Sequence, residues 1–410
     1  MSEPPPPASS RSRADLRASG RILYLSPVDV SVGSGPGVNE NEFVRALHDA
    51  IGERAHFLVP RPVEPVDDLP ANALSFCAPH RRYHPLRFPL HVASQLRAAE
   101  RLLRDGRFDL IVVRIDVLPF VPFLLTRRHR LPYAIKTIGT GVIDPLDGGA
   151  GWLGRALAPL NRFMVRRLIE RALVADTDSE LHAAAVRERL GLAGGEIVWI
   201  DNAVNTRRFF PGSREAARRD VGLAAFDPIV GYVGSRPWER GGAQLLEAAA
   251  RLSAKHPGLG VVIVGEGAPV AAMQRRAAEL GIAERCRFTG YVPYRRIPAW
   301  VNSLDVGVSI SLEPERQINS ELKVRQYLAC GKPIVISPGS NEFVPAEGFG
   351  TVVEPEDLDA ITAAIERWLA LTPAERDAFA ARAARYMHER LSMTAAVDQR
   401  LRLWTERMQA

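Results

Sequence analysis

Short apolar segments alternate with helical segments along this chain, and the alternation starts again near residue 228. In the first half, strand-like segments such as Arg21–Ser26 and Asp109–Ile115 are separated by helices such as Leu90–Leu103. The same order resumes at Pro228–Tyr232. Strands that alternate with helices form parallel sheets with helices on both faces. The pattern therefore predicts an α/β protein made of two successive Rossmann-like domains.

The boundaries of these domains can be placed along the sequence. Residues 1–20 are rich in proline, serine and arginine, and we expect a disordered tail there. Residues 21–205 are predicted to form the N-terminal Rossmann-like domain, and residues 206–390 the C-terminal one. We expect residues 391–410 to form a helix that packs back on the N-terminal domain. Ligands of such sheets bind beyond the carboxyl ends of the strands, which predicts a site in a cleft between the domains.

The composition restricts the partners. The chain has 53 lysine and arginine residues against 47 acidic ones, a net charge of +6. This balance favours a nucleotide or an anionic membrane surface, and the lack of a nucleic-acid-binding motif argues against DNA and RNA. The three cysteines lack metal-ligand spacing, and Cys330 is interpreted as a small buried side chain. No apolar run reaches the roughly 20 residues of a membrane-spanning helix.

Residues 320–337 predict a helix, a glycine stop and a strand. Gly331 suits the left-handed residue after a helix, and the apolar strand Ile334–Ile336 follows. Only four of the 53 basic residues are lysines, and two of them, Lys323 and Lys332, lie here. Lys323 is near the predicted helix start, where free N–H groups favour a phosphate. Lys332 is interpreted as a solvated loop charge.

Three glycine-rich loops follow predicted strands, at residues 33–37, 233–242 and 265–267. A helix is expected to begin after the first loop, near Asn39–Asn41. None of the loops has the dinucleotide-binding spacing of glycines, which disfavours hydride transfer. The second loop carries Arg236 and Arg240 before a predicted helix start. Two arginines there can hold a diphosphate, although exposed arginines are also ordinary in a chain so rich in them.

Five short motifs follow one another in the second half. They are Val198–Asn205, Gly231–Gly234 with Arg240-Gly241, Val262–Gly267, Phe288–Val292 and Ala329–Pro333. In this order and spacing they resemble the motifs of the retaining glycosyltransferases of family four (glycosyl transferases group 1), which have the GT-B fold of two Rossmann-like domains. The resemblance covers residues 173–340 well. It covers the N-terminal half in outline, as expected for the half that binds the variable acceptor.

The resemblance implies a site for the diphosphate of a nucleotide sugar. In the family an arginine directly after the motif glycine and a lysine before the next glycine bind this group. Here Ser235 takes the first position, with Arg236 beside it, and Arg240 takes the second. Leu322 and Lys323 resemble a subgroup in which the lysine approaches the donor phosphates. Arg236, Arg240 and Lys323 are therefore expected to neutralise the leaving group.

The family's pair of glutamates is altered in this sequence. Glu313 takes the place of the first glutamate, and Gln326 falls on the place of the second. These two lie thirteen residues apart (326 − 313) rather than eight, which implies an insertion of about five residues. Glu321 does stand eight residues after Glu313, but its flanks differ, and we interpret this spacing as coincidence. The resemblance implies a catalytic role for Glu313 and a ribose contact for Gln326.

The same resemblance assigns the remaining site residues. On the donor side they are Gly35, Gly37, Gly234, Ser235, Gly265, Gly267, Tyr291, Val292, Leu322 and Gln326. On the acceptor side they are Lys136, Gly139 and Thr140, in a region where the family's histidine is missing. No metal-ligand cluster carries the phosphates, so we expect neither a metal nor another cofactor.

A basic amphipathic helix is predicted within residues 152–173. Leu160, Met164 and Leu168 lie on one stripe, and Arg162 and Arg166 fall off it. Such a helix either packs on the core with a solvated basic face or docks on anionic lipid. The sequence leaves both interpretations open.

These observations predict a cytoplasmic glycosyltransferase of the kind that acts in polysaccharide biosynthesis. A peripheral position on the inner face of a membrane is left open together with the two interpretations of the basic helix. The predicted enzyme would move a hexose-type sugar from a nucleotide diphosphate sugar to a glycan, lipid-linked or small-molecule acceptor, with retention and without a metal. The altered glutamate pair motivates an alternative, a non-catalytic GT-B protein that binds nucleotide sugar or a partner. A nucleotide-sugar epimerase is a third class, but it needs catalytic carboxylates and a histidine near the cleft, and no such set is evident in the N-terminal half.

Overall fold

The structure is a computed structural model that describes residues 15–31, 35–63, 66, 69–79, 86–136, 140–143, 151–192, 196–266, 270–312, 320–339 and 341–410. The chain divides into two compact units. The first contains the chain up to Ile200 together with Ala396–Ala410, and the second contains Asp201–Ala395. Each unit is built around one parallel sheet.

The first unit contains a seven-stranded sheet with the order β3-β2-β1-β4-β5-β6-β7. Its strands are β1 (Ile22–Leu25), β2 (Ala55–Pro60), β3 (Leu74–Cys77), β4 (Leu110–Val113), β5 (Tyr133–Ile135), β6 (Ala175–Thr177) and β7 (Ile197–Trp199). Its helices are α1 (Gly35–Ile51), α2 (Arg87–Asp105), α3 (Phe120–His129), α4 (Thr140–Ile143), α5 (Gly151–Arg171) and α6 (Glu180–Leu190). The strand order reverses between β1 and β4, the arrangement that opens a crevice at the carboxyl ends of the strands.

The second unit contains a six-stranded sheet with the order β10-β9-β8-β11-β12-β13. Its strands are β8 (Ile229–Val233), β9 (Gly260–Val264), β10 (Cys286–Phe288), β11 (Val306–Ser309), β12 (Ile334–Ile336) and β13 (Gly350–Val352). Its helices are α7 (Arg214–Asp220), α8 (Gly242–Leu252), α9 (Val270–Glu279), α10 (Ile297–Ser303), α11 (Leu322–Ala329), α12 (Phe343–Ala346), α13 (Leu358–Leu369) and α14 (Pro373–Arg390). The last helix of the chain is α15 (Met393–Gln409).

The sequence explains why these elements form. The strands β1, β4, β8 and β9 are almost uninterrupted apolar runs and are buried along their whole length, as parallel strands covered on both faces must be. Local capping fixes the helix ends. Thr372 and Glu375 form a capping box at the start of α14, and Gly331 adopts a left-handed φ of 71° after α11. The predicted α/β fold with two parallel sheets is confirmed.

The structure corrects several local predictions. The sequence analysis missed β3, α3, α7, α12 and β13, which are short or carry few apolar residues in a clear period. Helix α1 begins at Gly35 rather than near Asn39, so Gly35 and Gly37 lie in its first turn.

Two ion pairs hold the last helix in the first unit. Arg400 donates two hydrogen bonds of 2.9 Å to the carboxylate of Asp176, and both side chains are buried. Arg407 pairs with Glu196 about two helical turns further on. A buried bidentate pair has a defined geometry, so Arg400 fixes α15 against β6. Among the described residues, no helix combines the length and the apolar character needed to cross a membrane.

Candidate functional site

The carboxyl edge of the second sheet brings three of the predicted loops together. Gly234 follows β8, and its N–H donates to Val264 O at the end of β9 (2.9 Å). Gly265 follows β9, and its N–H donates to Gly290 O beyond β10 (3.0 Å). Tyr291 comes next and is half exposed. The predicted donor-side residues Gly234, Gly265 and Tyr291 therefore lie at one edge of the sheet, where α/β proteins bind ligands.

Two of the glycines leave no room for a Cβ, one against backbone and the other against a side chain. A Cβ on Gly265 would stand 1.9 Å from Gly234 O, and the Gly265 φ of 133° disfavours any side chain. A Cβ on Gly234 would stand 2.8 Å from Cε of Lys323. The small loops leave the space that the Lys323 side chain occupies.

Two cations and a carboxylate meet beside these loops, at the start of α11. The guanidinium of Arg240 pairs with Glu321, whose other carboxylate oxygen lies 3.4 Å from Nζ of Lys323. The Ser309 hydroxyl donates to the same oxygen at 2.7 Å. Nζ of Lys323 also donates to the Tyr232 hydroxyl at 3.0 Å. We call Arg240, Glu321 and Lys323 the charge cluster.

Burial and the neighbouring charges together set the pKa values of the charge cluster. The three side chains are only 10–14% exposed. Burial lowers the pKa of Lys323 from 10.5 to about 8, although Glu321 opposes this shift. For Glu321, burial raises the pKa, but Lys323, Arg240 and the Ser309 hydrogen bond together lower it. The cluster thus carries two cations and one anion at neutral pH, a net positive charge in a poorly solvated place.

The first turn of α11 adds further donors to the cluster. Glu321 is the residue before the helix, and its side chain makes no capping hydrogen bond. The first N–H groups of a helix have no intrahelical partner and carry a partial positive charge. Leu322 and Lys323 occupy the first two helical positions. A phosphate group placed there would meet the lysine, the arginine and these N–H groups together.

Arg325 fixes the chain on both sides of the charge cluster. Its guanidinium is fully buried and donates to Asn202 O (2.7 Å), Asn341 Oδ1 (2.7 Å), Asp201 Oδ1 (3.1 Å) and Glu321 O (3.2 Å). The Asn202 amide donates to Ser320 O at 2.9 Å. The carbonyls of residues 320 and 321 are therefore both held, which sets where α11 begins.

The other predicted donor-side residues occupy different environments. Arg236 is exposed and adopts a left-handed φ of 58°, and no carboxylate of the described chain pairs with it. Ser235 is exposed, and its carbonyl accepts from the Tyr232 hydroxyl. Gln326 is buried in α11. Val292 packs partly buried against the core of the second unit. Glu313 and Gly267, both predicted for this site, lie outside the described residues.

On the predicted acceptor side, the structure gives Lys136 a different place. Its side chain is 1% exposed, and the ammonium lies 3.2 Å from Glu40 and 4.1 Å from the centre of the Phe43 ring. Burial raises the Glu40 pKa, but Lys136 and Arg114 lower it to about 2. Lys136 is thus a paired core cation instead of an exposed acceptor contact. Thr140 begins α4, and Gly139 lies outside the described residues.

Lys332 is also placed differently from the prediction. It was expected to be a solvated loop charge, but it is only 9% exposed. Burial lowers its pKa from 10.5 to about 8, and Asp305 opposes the shift. The short turn between α11 and β12 leaves this lysine against the core. Cys330 is buried and free, as predicted.

Comparisons with known proteins give this site a context. The family model of glycosyl transferases group 1 matches residues 227–370. A 2-deoxystreptamine N-acetyl-D-glucosaminyltransferase from Streptomyces fradiae is 31% identical over 298 residues, which cover 70% of this chain and 68% of that protein. This chain belongs to the glycosyl transferases group 1. The family predicted from the five motifs is thereby confirmed.

Other relatives of this group 1 member match a smaller share of their own length. A GDP-mannose-dependent α-(1-6)-phosphatidylinositol monomannoside mannosyltransferase from Mycolicibacterium smegmatis is 30% identical over 53% of this chain and 58% of its own. A D-inositol 3-phosphate glycosyltransferase 2 from Catenulispora acidiphila is 32% identical over 63% of this chain and 62% of its own length. The chain thus spans about three fifths of the length of these two relatives.

Solved structures show the fold of this group 1 member. Sucrose-phosphate synthase from Thermosynechococcus elongatus superposes with a TM-score of 0.70 at 18% identity, over 94% of this chain and 98% of that one. Anabaena HepE, solved with UDP and glucose, gives a TM-score of 0.69 at 17% identity, over 94% of this chain and 100% of HepE. The predicted GT-B fold is confirmed.

Two residues of the site were missed by sequence reasoning. Glu321 was set aside because its flanks differ from the family's glutamate, yet it is the anion that holds Arg240 and Lys323. A carboxylate two positions before a lysine at a helix start was the available signal. Arg325 gave no signal, because nothing local distinguishes a buried arginine from an exposed one.

Proposed function

We propose that this protein is a glycosyltransferase. It moves a hexose-type sugar from a nucleotide diphosphate sugar to a glycan, lipid-linked or small-molecule acceptor, with retention at the anomeric carbon. The observation that carries the proposal is the charge cluster, in which Arg240 and Lys323 converge beside the start of α11. The names of the relatives, all sugar transferases, support the reaction class. The UDP bound to HepE supports a nucleotide donor.

The charges of the site match those of such a donor. Arg240 and Lys323 supply two positive charges and Glu321 removes one, while the exposed Arg236 offers another within the adjoining loop. Three cations minus one anion leave a net charge of +2. The diphosphate of a nucleotide sugar carries two negative charges, so the site and the donor neutralise each other. Glu321 then acts as the built-in anion that keeps the two buried cations paired until a donor arrives.

The reaction increases the charge that the site must hold. The bond from the anomeric carbon to the diphosphate oxygen breaks, and both electrons stay on that oxygen. A bond from the anomeric carbon to the acceptor oxygen replaces it, and the proton of the acceptor hydroxyl is released to solvent. The leaving diphosphate gains a negative charge as the bond breaks. Arg240, Lys323 and the α11 N–H groups are already fixed in place, so they stabilise this transition state without reorganising. Such donors contribute several kcal/mol.

Metal independence, the absence of a cofactor and a cytoplasmic location are parts of this proposal. Arg240 and Lys323 offer the charge that a divalent cation would supply to a diphosphate. Turnover should therefore persist in excess EDTA. A loss of turnover that added Mg²⁺ or Mn²⁺ restores would contradict metal independence while leaving glycosyl transfer intact.

A panel of nucleotide sugars tests the proposal. The protein is incubated with UDP-, GDP-, ADP- and TDP-sugars, and release of the nucleotide diphosphate is followed. Thermal shifts with the four free diphosphates identify the base, because selective binding stabilises the folded state. We expect one base to bind and its sugar nucleotide to be cleaved slowly.

The buried Gln326, where the family has a glutamate, favours one alternative. Without the carboxylate, the protein could bind a nucleotide sugar and not cleave it. Tight binding with no release on any donor and acceptor would establish this non-catalytic alternative. Release from any donor would exclude it.

A further inference from the structure

A basic cavity lies in the first unit, at the amino end of β5. Its volume is about 360 Å³, and it lies between the carboxyl ends of α3 and α5. Its lining contains four arginines and no carboxylate. These are Arg127, Arg130, Arg167 and Arg171. The volume is within the range of small-molecule sites.

About half of this positive charge is uncompensated. Glu170 pairs with Arg167 at 3.1 Å, and in the described part of the chain no carboxylate pairs with Arg127, Arg130 or Arg171. The carboxyl ends of two helices, each with about half a negative charge, offset roughly one more positive charge. About two positive charges remain, enough to attract a phosphate group.

The backbone at Arg130 places an arginine in the wall of the cavity. Arg130 follows α3 with a left-handed φ of 49°. Glycine is the usual residue in this position, and another L-residue costs about 1–2 kcal/mol there. The chain keeps an arginine at this strained position, and its side chain lines the cavity. Backbone strain of this kind is concentrated at functional sites.

The same two helices expose large apolar side chains. Leu124 on α3 is 47% exposed, and Leu160 and Phe163 on α5 are 41% and 48% exposed. The Phe163 ring packs 6.2 Å from that of Phe123, which lines the cavity. A small soluble anion would use only the arginines. A lipid layer offers phosphate to the arginines and hydrocarbon to the apolar side chains.

We propose that this surface binds the protein to anionic phospholipid. The arginine cavity takes a lipid phosphate, and Leu124, Leu160 and Phe163 enter the boundary between headgroups and acyl chains. The inference does not depend on glycosyl transfer, because no residue of the charge cluster belongs to this surface. It selects the lipid-docking interpretation of α5 and adds α3 to it.

Vesicle sedimentation of the full chain tests the proposal. The vesicles contain phosphatidylcholine alone or phosphatidylcholine with phosphatidylglycerol. We expect binding to the anionic vesicles and a fall of about 30-fold in Arg127→Gln/Arg171→Gln, since each arginine near a membrane contributes about 1 kcal/mol. The matched control is Arg219→Gln/Arg275→Gln, which removes the same charge from exposed positions of the second unit. It should bind within about twofold of the wild type.

Each other outcome contradicts the proposal. Absence of wild-type binding to anionic vesicles, or an equal loss in both double variants, would overturn the assigned surface. Saturable binding of inorganic phosphate or glycerol phosphate, without vesicle binding, would assign the cavity to a soluble anion.

Phe163→Ser should weaken vesicle binding and leave soluble phosphate binding unchanged. Thermal melting of each variant shows that the loss of binding is not a loss of folding.

Discussion

Replacing Lys323 by methionine should separate the stability of the second unit from its affinity for anions. Burial lowers the Lys323 pKa from 10.5 to about 8. At about 1.4 kcal/mol per pKa unit, the charged lysine costs the fold about 3 kcal/mol. Methionine keeps the side-chain length beside Gly234 and loses the hydrogen bond to Tyr232, which contributes about 1 kcal/mol. We therefore expect Lys323→Met to raise the free energy of unfolding at pH 7 by about 1–2 kcal/mol.

The stability gained by Lys323→Met should depend on pH, and the pKa shift gives the sign of that dependence. The unfolded lysine holds its proton up to pH 10.5, and the folded one releases it near pH 8. Between these values the unfolded state binds more protons, so wild-type stability rises with pH relative to the variant. The advantage of Lys323→Met should be complete below pH 8 and absent above pH 10.5. Urea unfolding across this range measures it.

The same substitution should weaken nucleotide binding. A charged hydrogen bond contributes about 1.5–3 kcal/mol, so the Kd for the preferred nucleotide diphosphate should rise at least about tenfold, measured by calorimetry. Lys255→Met is the matched control, because Lys255 is exposed and pairs with Glu366 at 2.7 Å on the same unit. Lys255→Met should change neither the free energy of unfolding nor the Kd for the nucleotide diphosphate. A Lys323→Met protein that is several kcal/mol less stable and binds nucleotide as the wild type does would refute this reasoning.

Three further substitutions test the structure around the site. Arg325→Met removes the four hydrogen bonds of a buried guanidinium and should lower the free energy of unfolding by about 3–5 kcal/mol in urea, because each buried acceptor left without a donor costs about 1 kcal/mol or more; a loss below about 1 kcal/mol would contradict its anchoring role. Gly265→Ala places a methyl group 1.9 Å from Gly234 O, so both the melting temperature and nucleotide affinity should fall, and an unchanged melting curve would contradict the required close approach. Lys332→Met should raise the free energy of unfolding at pH 7, because burial lowers the Lys332 pKa to about 8. It should leave nucleotide affinity unchanged, because Lys332 is not part of the charge cluster, and weaker nucleotide binding would contradict this placement.

The sequence predicted the architecture because parallel strands have a strong signature. Apolar runs such as Ile229–Val233 and Gly260–Val264 are buried on both faces, so each reads as a continuous strand between helices. Short elements have no such signal. Leu74–Cys77 is a four-residue edge strand, and it was missed because only one of its residues is fully buried.

The site was predicted in part, because spacing along the chain reveals charges but not their burial. The position of Lys323 at a helix start was predicted correctly. Glu321 was rejected on sequence flanks, although its place in the fold depends on Arg240, 81 residues away. Lys136 was expected at the acceptor and Lys332 in solvent, and both are buried. Their placement follows from tertiary packing, which no local pattern shows.

The turnover of a double variant tests the central claim most directly. The claim is that Arg240 and Lys323 neutralise the leaving diphosphate. We compare the kcat for nucleotide diphosphate release between the wild type, Arg240→Ala/Lys323→Ala and the control Arg219→Ala/Lys255→Ala, with melting curves for each. Removing one fixed donor to a developing anion costs about 100-fold, so kcat of the site variant should fall at least that far while the control stays active. Unchanged turnover in a folded Arg240→Ala/Lys323→Ala protein would contradict the claim.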